Sequence, residues 1–235
     1  MVTTISAAVK PEINSDICVF DICVSDTWVK ASWDEFIAFA DEPSLEKGRF
    51  YYDHSLMRIE MSPVGPTHAH ENSIVANVIR LFATLTNMII YEYTNCSFRK
   101  KNNAEFQPDV AFYIGSGLKI PPRNNAPVNL DNFDLPNLVV EISSTTIHDD
   151  LGHDDLGRKR LLYERLGIRE YWVIDAYTAE VFAFAIADGR SGRITRSQVL
   201  EGLEIAIVVE ALQRSHASED DGAIARWLLQ TFAKP

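Results

Sequence analysis

The chain has 235 residues, of which 46% are hydrophobic and 23% charged, and its formal net charge is −11. That length can bury a sizeable core in one large domain or two small ones, and the composition excludes a disordered chain. The acidic balance argues against a protein that coats nucleic acid nonspecifically, because such binding depends on basic patches; an enzyme whose acids hold a divalent cation is still compatible with it.

Residues 1–30 show little periodicity and read as an N-terminal extension, leaving 31–235 as a single domain. Ser32-Trp33-Asp34-Glu35 carries Ser and Glu three apart ahead of an apolar run, a capping box that predicts a helix over 33–40. Segments 49–53 and 56–61 are β-rich with a very short link, which predicts a hairpin. Ser62-Pro63 and Gly65-Pro66 break the chain. Ile74, Val78, Leu81, Phe82 and Leu85 then recur at spacings of three and four, so a long helix is expected over 68–86.

Strands are expected at 88–93, 96–100 and 108–114, followed by a polar, proline-rich loop over 115–135 and a short buried strand at 137–143. The pattern over 155–166 is helical and stops at Gly167. Strands should follow at 170–175 and 180–185, and helices at 207–216 and 223–233. This alternation predicts one α/β domain, a mixed β-sheet flanked by α-helices with an N-terminal β-hairpin.

No apolar run is long enough to span a bilayer. The stretch MVTTISAAVKPEIN lacks the pattern of a secretory signal, and Cys18, Cys23 and Cys96 form neither a CxxC pair nor a zinc spacing. A soluble cytoplasmic protein is expected, with no membrane partner.

Two strands carry isolated acids. In QPDVAFYIG, side-chain alternation puts Asp109, Ala111 and Tyr113 on one face; in NLVVEIS, Glu141 shares a face with Val139 and Ser143. An unpaired buried carboxylate is costly, so each needs a cation, a donor or an exposed strand end. On the helix after 155, Lys159 falls in one sector with Leu162, Tyr163 and Leu166, while Arg160 and Glu164 fall opposite. Lysine is rare on an inward face without a partner. Asp155, one turn earlier, offers the alternative of an exposed i,i+4 pair with the lysine stem lying along apolar surface. Two acids and an inward lysine are the parts required for metal-assisted phosphodiester hydrolysis.

FQPDVAFYIG, LVVEISS and DDLGRKRLLYERLGIREYWVID, taken in order, resemble the Uma-two family of "putative restriction endonucleases" in the PD-(D/E)XK nuclease superfamily. The resemblance implies a restriction-endonuclease-like fold and Mg²⁺-dependent cleavage of DNA, with Mn²⁺ as a substitute. It makes Asp109 and Glu141 the metal-holding acids and Lys159 the catalytic lysine, on the helix because Ser143 fills the superfamily's usual lysine position. It also suggests an accessory group at the start of the long helix, Glu71 or His70. Symmetrical cutting of a duplex is compatible with a homodimer. The alternative is a catalytically silent binding or assembly module on the same fold.

The block HDDLGHDDLGRK, 148–159, repeats Asp-Asp-Leu-Gly five residues apart. Five extra residues within a helix would turn everything downstream by roughly 140° at 3.6 residues per turn. The extra copy is therefore expected in the loop, with the second copy opening the helix and Asp155, rather than Asp150, beside Lys159.

Overall fold

The computed structural model describes residues 27–61, 64–143 and 155–233. Residues 1–26 of the extension expected over 1–30, Cys18, Cys23, the Ser62-Pro63 break, the first Asp-Asp-Leu-Gly copy and the side chain of Asp155 lie outside the described residues, whereas Val29–Lys30 at the end of that extension is a strand paired with the hairpin.

The strands form two six-stranded sheets, where sequence patterning pointed to one. β1 (Val29–Lys30), β2 (Arg49–Asp53), β3 (Leu56–Glu60), β5 (Phe98–Lys100), β6 (Ala104–Phe106) and β8 (Val128–Asn129) make the smaller sheet, in the order β1-β3-β2-β6-β5-β8. β4 (Ile90–Thr94), β7 (Val110–Ile114), β9 (Leu138–Ser143), β10 (Glu170–Asp175), β11 (Val181–Ala187) and β12 (Arg190–Arg193) make the main sheet, in the order β12-β11-β10-β9-β7-β4. Both are mixed: β5 pairs parallel with β8, and β9 with β10, while their other pairs run antiparallel. The fold class is the expected α/β one, with helices on the sheets.

The helices follow the local signals. In α1 (Trp33–Ala40), Ser32 and Glu35 form the capping box, with Glu35 Oε2 accepting from Ser32 N at 2.7 Å. α2 (Pro66–Leu85) starts two residues earlier than apolar spacing suggested, because Pro66 fits the first helical turn, where no backbone donor is needed. α3 (Asp155–Leu166) ends at Gly167, whose φ of +79° lets Ile168 N reach back to Tyr163 O at 3.1 Å. α4 (Ile205–His216) and α5 (Asp221–Phe232) complete the chain.

Strand alternation divides the core as expected. Val110, Phe112, Val140, Ile142, Trp172 and Ile174 face α2, α4 and α5. Ala111, Tyr113, Val139, Tyr171 and Val173 face the other way, toward Leu162 and Tyr163 of α3 and toward Tyr51, Phe98 and Phe106 of the smaller sheet. The far side of the β2–β3 hairpin is covered by Phe36 and Phe39 of α1. Asp109, Glu141 and Lys159 therefore meet where the main sheet, the hairpin and α3 come together.

Candidate active site

Register brings the two acids together. β7 and β9 pair Val110 with Val140, so the next position outward sets Asp109 opposite Glu141. Ile142 N donates to Asp109 Oδ2 at 2.7 Å, binding one acid to the strand of the other. Both are almost wholly buried, at 1% and 2% exposure. Like charges directly across a strand pair destabilise it, so this arrangement requires cations.

Two cations meet it. Lys159 Nζ donates to Glu141 Oε2 at 3.2 Å, lies 2.8 Å from Glu60 Oε1, and sits 4.2 Å over the ring of Tyr51. Arg49 Nη2 donates to Asp109 Oδ1, and its Nη1 lies 3.6 Å from Glu60 Oε2. Charges thus alternate along Asp109, Arg49, Glu60, Lys159 and Glu141. Hydroxyls and an imidazole complete the shell. Tyr163 donates to Glu141 Oε1 at 2.6 Å, Tyr51 donates to Gln107 O at 2.6 Å, and His68 Nε2 stands 2.8 Å from Asp109 Oδ1.

The titrations follow from these neighbours. Burial opposes ionisation of Asp109, but the His68 hydrogen bond and the Arg49 charge outweigh it and hold the carboxyl below its ordinary value. Burial likewise opposes ionisation of Glu60, and Lys159 reverses the balance. Glu141 goes the other way: burial, with the charges of Asp109 and Glu60, raises it to about 7 in spite of Lys159. Burial and then the Glu141 charge push the Tyr51 and Tyr163 phenols well above their ordinary value.

The sequence-derived candidates divide accordingly. Asp109, Glu141 and Lys159 converge. Ser143 is buried at the end of β9, in register with Asp175 of β10. His70 and Glu71 do not join the acids. Glu71 continues the buried stripe of α2 and meets Ser215 Oγ at 3.1 Å and His216 Nε2 at 3.4 Å, while His70 Nε2 lies 2.9 Å from Asp221 Oδ1. His70, Glu71, Ser215 and His216 line an open cleft with Pro66, Thr67 and Tyr177. The α2 residue that reaches Asp109 is His68, which points about 160° away from His70 on the helix at 100° per residue. Helix α3 does begin at the second Asp-Asp-Leu-Gly copy.

Sequence patterning does not single out Arg49 or Glu60, and the accessory group expected at the start of α2 is His68 rather than His70 or Glu71. Arg58 and Glu60 alternate with Met57 and Ile59, which reads as an ordinary half-exposed strand. Among the described residues, no group of three or more His, Cys, Asp or Glu side chains is disposed to hold a metal ion. Likewise, no helix among them is long and apolar enough to cross a membrane.

Among solved structures, the chain is similar to the crystal structure of a "putative nuclease belonging to DUF820" from Anabaena variabilis ATCC 29413. The match has a TM-score of 0.52 at 18% identity and covers 77% of this chain and 99% of that one, a likeness of fold. No curated protein matches the chain. The sequence pattern of the Uma2 family, described as "Putative restriction endonuclease", matches residues 33–218. The chain belongs to the Uma2 family.

Proposed function

We propose that the protein is a Mg²⁺-dependent DNA endonuclease of the cytoplasm, with Asp109 and Glu141 holding the metal, Mn²⁺ able to substitute, and Lys159 assisting the attacking water. The observation that carries this reading is the cross-strand placement of Asp109 opposite Glu141, with Lys159 on the second acid. Magnesium is usually held by one or two carboxylates and completes its shell with water and substrate phosphate. Two hard oxygen donors from facing strand positions fit that requirement.

When bound, the ion neutralises phosphate charge and lowers the pKa of water. Lys159 is held in position by Glu60, Glu141 and the Tyr51 ring before any substrate arrives. Its ammonium, fixed beside Glu141, would orient the attacking water and meet the negative charge growing on phosphorus. In the hydrolysis, the water oxygen bonds to phosphorus, the ester P–O bond breaks, and the leaving oxygen takes up a proton. Symmetrical cutting of both strands would use two copies of the chain.

Purified protein incubated with plasmid and Mg²⁺ tests this beside Asp109→Asn and Lys159→Met. The wild type should nick or linearise the plasmid, and each variant should lose about 100-fold or more. Equal activity in all three preparations would identify a contaminant and end the proposal.

A second reading, a catalytically silent binding module, draws on the engagement of Asp109 and Glu141 by protein donors. Ligand binding to the folded state must raise stability. A melting temperature unmoved by Mg²⁺ or Mn²⁺ would favour this second reading.

A further inference from the structure

Arg49 is a cation in the site for which the proposed hydrolysis has no task. Its side chain is 14% exposed, and its Nη2 donates to Asp109 Oδ1, the oxygen that His68 Nε2 also approaches at 2.8 Å. Two further acceptors lie within reach of the same guanidinium: Asn95 Oδ1 at 3.3 Å and Glu60 Oε2 at 3.6 Å. Burial disfavours charge on Arg49, but Asp109, with Glu141 and Glu60, more than restores it.

A carboxylate has about four lone-pair sites. On Asp109, Ile142 N uses Oδ2, while Arg49 and His68 crowd Oδ1. A divalent ion bound to Asp109 would face the guanidinium across a single carboxylate, and like charges repel strongly in a site shielded from water. The two cations compete for Asp109. A guanidinium fork also matches the oxygens of a phosphate diester, so Arg49 has a substrate partner of the right chemistry once it leaves the acid.

We propose that Arg49 is a displaceable internal cation, which holds Asp109 when no metal is bound, competes with the metal for it, and turns to a substrate phosphate when the metal takes its place. This rests on the metal reading given above. It makes Arg49 a positioning residue for Asp109 in the free protein and a phosphate ligand in the complex. Metal and substrate binding then reinforce each other, since each takes one member of the Arg49–Asp109 pair, and that coupling is reciprocal.

The test is calorimetric titration of Mn²⁺, without DNA, into the full chain and two variants. Arg49→Gln removes the competing charge and should tighten Mn²⁺ binding by roughly tenfold or more. Asn95→Gly removes the alternative acceptor and leaves Arg49 more firmly on Asp109, so binding should weaken by about threefold. Asn95 is exposed with φ of +51°, a conformation glycine adopts freely, so this variant keeps the fold and decides the matter if Arg49→Gln does not fold. A folded Arg49→Gln that binds Mn²⁺ no more tightly than wild type would overturn the proposal, as would unchanged affinity in Asn95→Gly. Equal binding in all three proteins would sink this inference alone, and no binding in any of them would sink the metal reading with it.

Discussion

Lys159 Nζ lies 2.8 Å from Glu60 Oε1, so the lysine of α3 is held by an acid on the β2–β3 hairpin as well as by Glu141. Removing either partner has unequal consequences. Glu60→Gln leaves Lys159 on Glu141 and over the Tyr51 ring but weakens the contacts of this side chain with Lys159, Arg58 and Arg49, and should cost about 1.5–3 kcal/mol, the range for hydrogen bonds to a charged group. Lys159→Met leaves two buried acids without that cation and should cost about 3–5 kcal/mol, as for a broken buried pair. Urea unfolding at neutral pH measures both. A loss from Glu60→Gln as large as that from Lys159→Met would show that Glu60, rather than Lys159, holds the contact together.

This pair also shows where sequence legibility ended. Asp109, Glu141 and Lys159 each interrupt an apolar pattern, so their chemistry was visible in their own elements. Glu60 and Arg49 interrupt nothing, since Glu60 continues the polar alternation of β3 and Arg49 stands at the very start of β2. Only the packing of that hairpin's face over the main sheet turns them into site residues. The same limit hid the second sheet: β4 and β5 are neighbours in sequence but belong to different sheets. Strand β12 was missed for a simpler reason. Asp188-Gly189, with φ of +51° and +70°, is a type I′ hairpin signal that the polar run Arg190–Arg193 masked.

The β2–β3 hairpin turns through His54 and Ser55, at φ of +44° and +69°. Neither is the Asn-Gly pair such a turn favours. Ser55→Gly should therefore stabilise the protein by about 1 kcal/mol, by relieving a Cβ held in the left-handed region. Thermal unfolding checks this, and a lower melting temperature would show that the turn is not under strain.

Glu71 makes stability depend on pH. Burial raises its pKa in spite of Ser215, His216 and His70, and its Oε2 is buried without a hydrogen-bond partner. An acid with a raised folded pKa contributes stability that is fully present below its unfolded value. That contribution falls away as pH climbs through the folded value, because the unfolded chain ionises first. Glu71→Gln should therefore lose less stability than wild type when pH rises from the ordinary carboxylate value toward neutrality. Urea midpoints at the two ends of that range measure it, and parallel slopes in the two proteins would refute the assignment.

Glu170 tests whether a buried acid in this fold has to be part of the site. It is fully buried at the start of β10, yet its oxygens accept from Trp172 Nε1 at 3.0 Å, Ser197 Oγ at 2.9 Å and Val199 N at 2.9 Å. Its task is to close the turn at 197–200 onto the main sheet, and among the described residues it shares no hydrogen-bond partner with Asp109 or Glu141. Glu170→Gln keeps the shape but replaces one acceptor oxygen with a donor that faces other donors. Stability should fall by about 1–3 kcal/mol, as expected for buried groups left unsatisfied. Mn²⁺ affinity should stay at the wild-type value, because the metal-holding pair is untouched. A weakened Mn²⁺ isotherm in a folded Glu170→Gln protein would mean that the turn and the acids are coupled through β9 and β10, and that Glu170 belongs to the site.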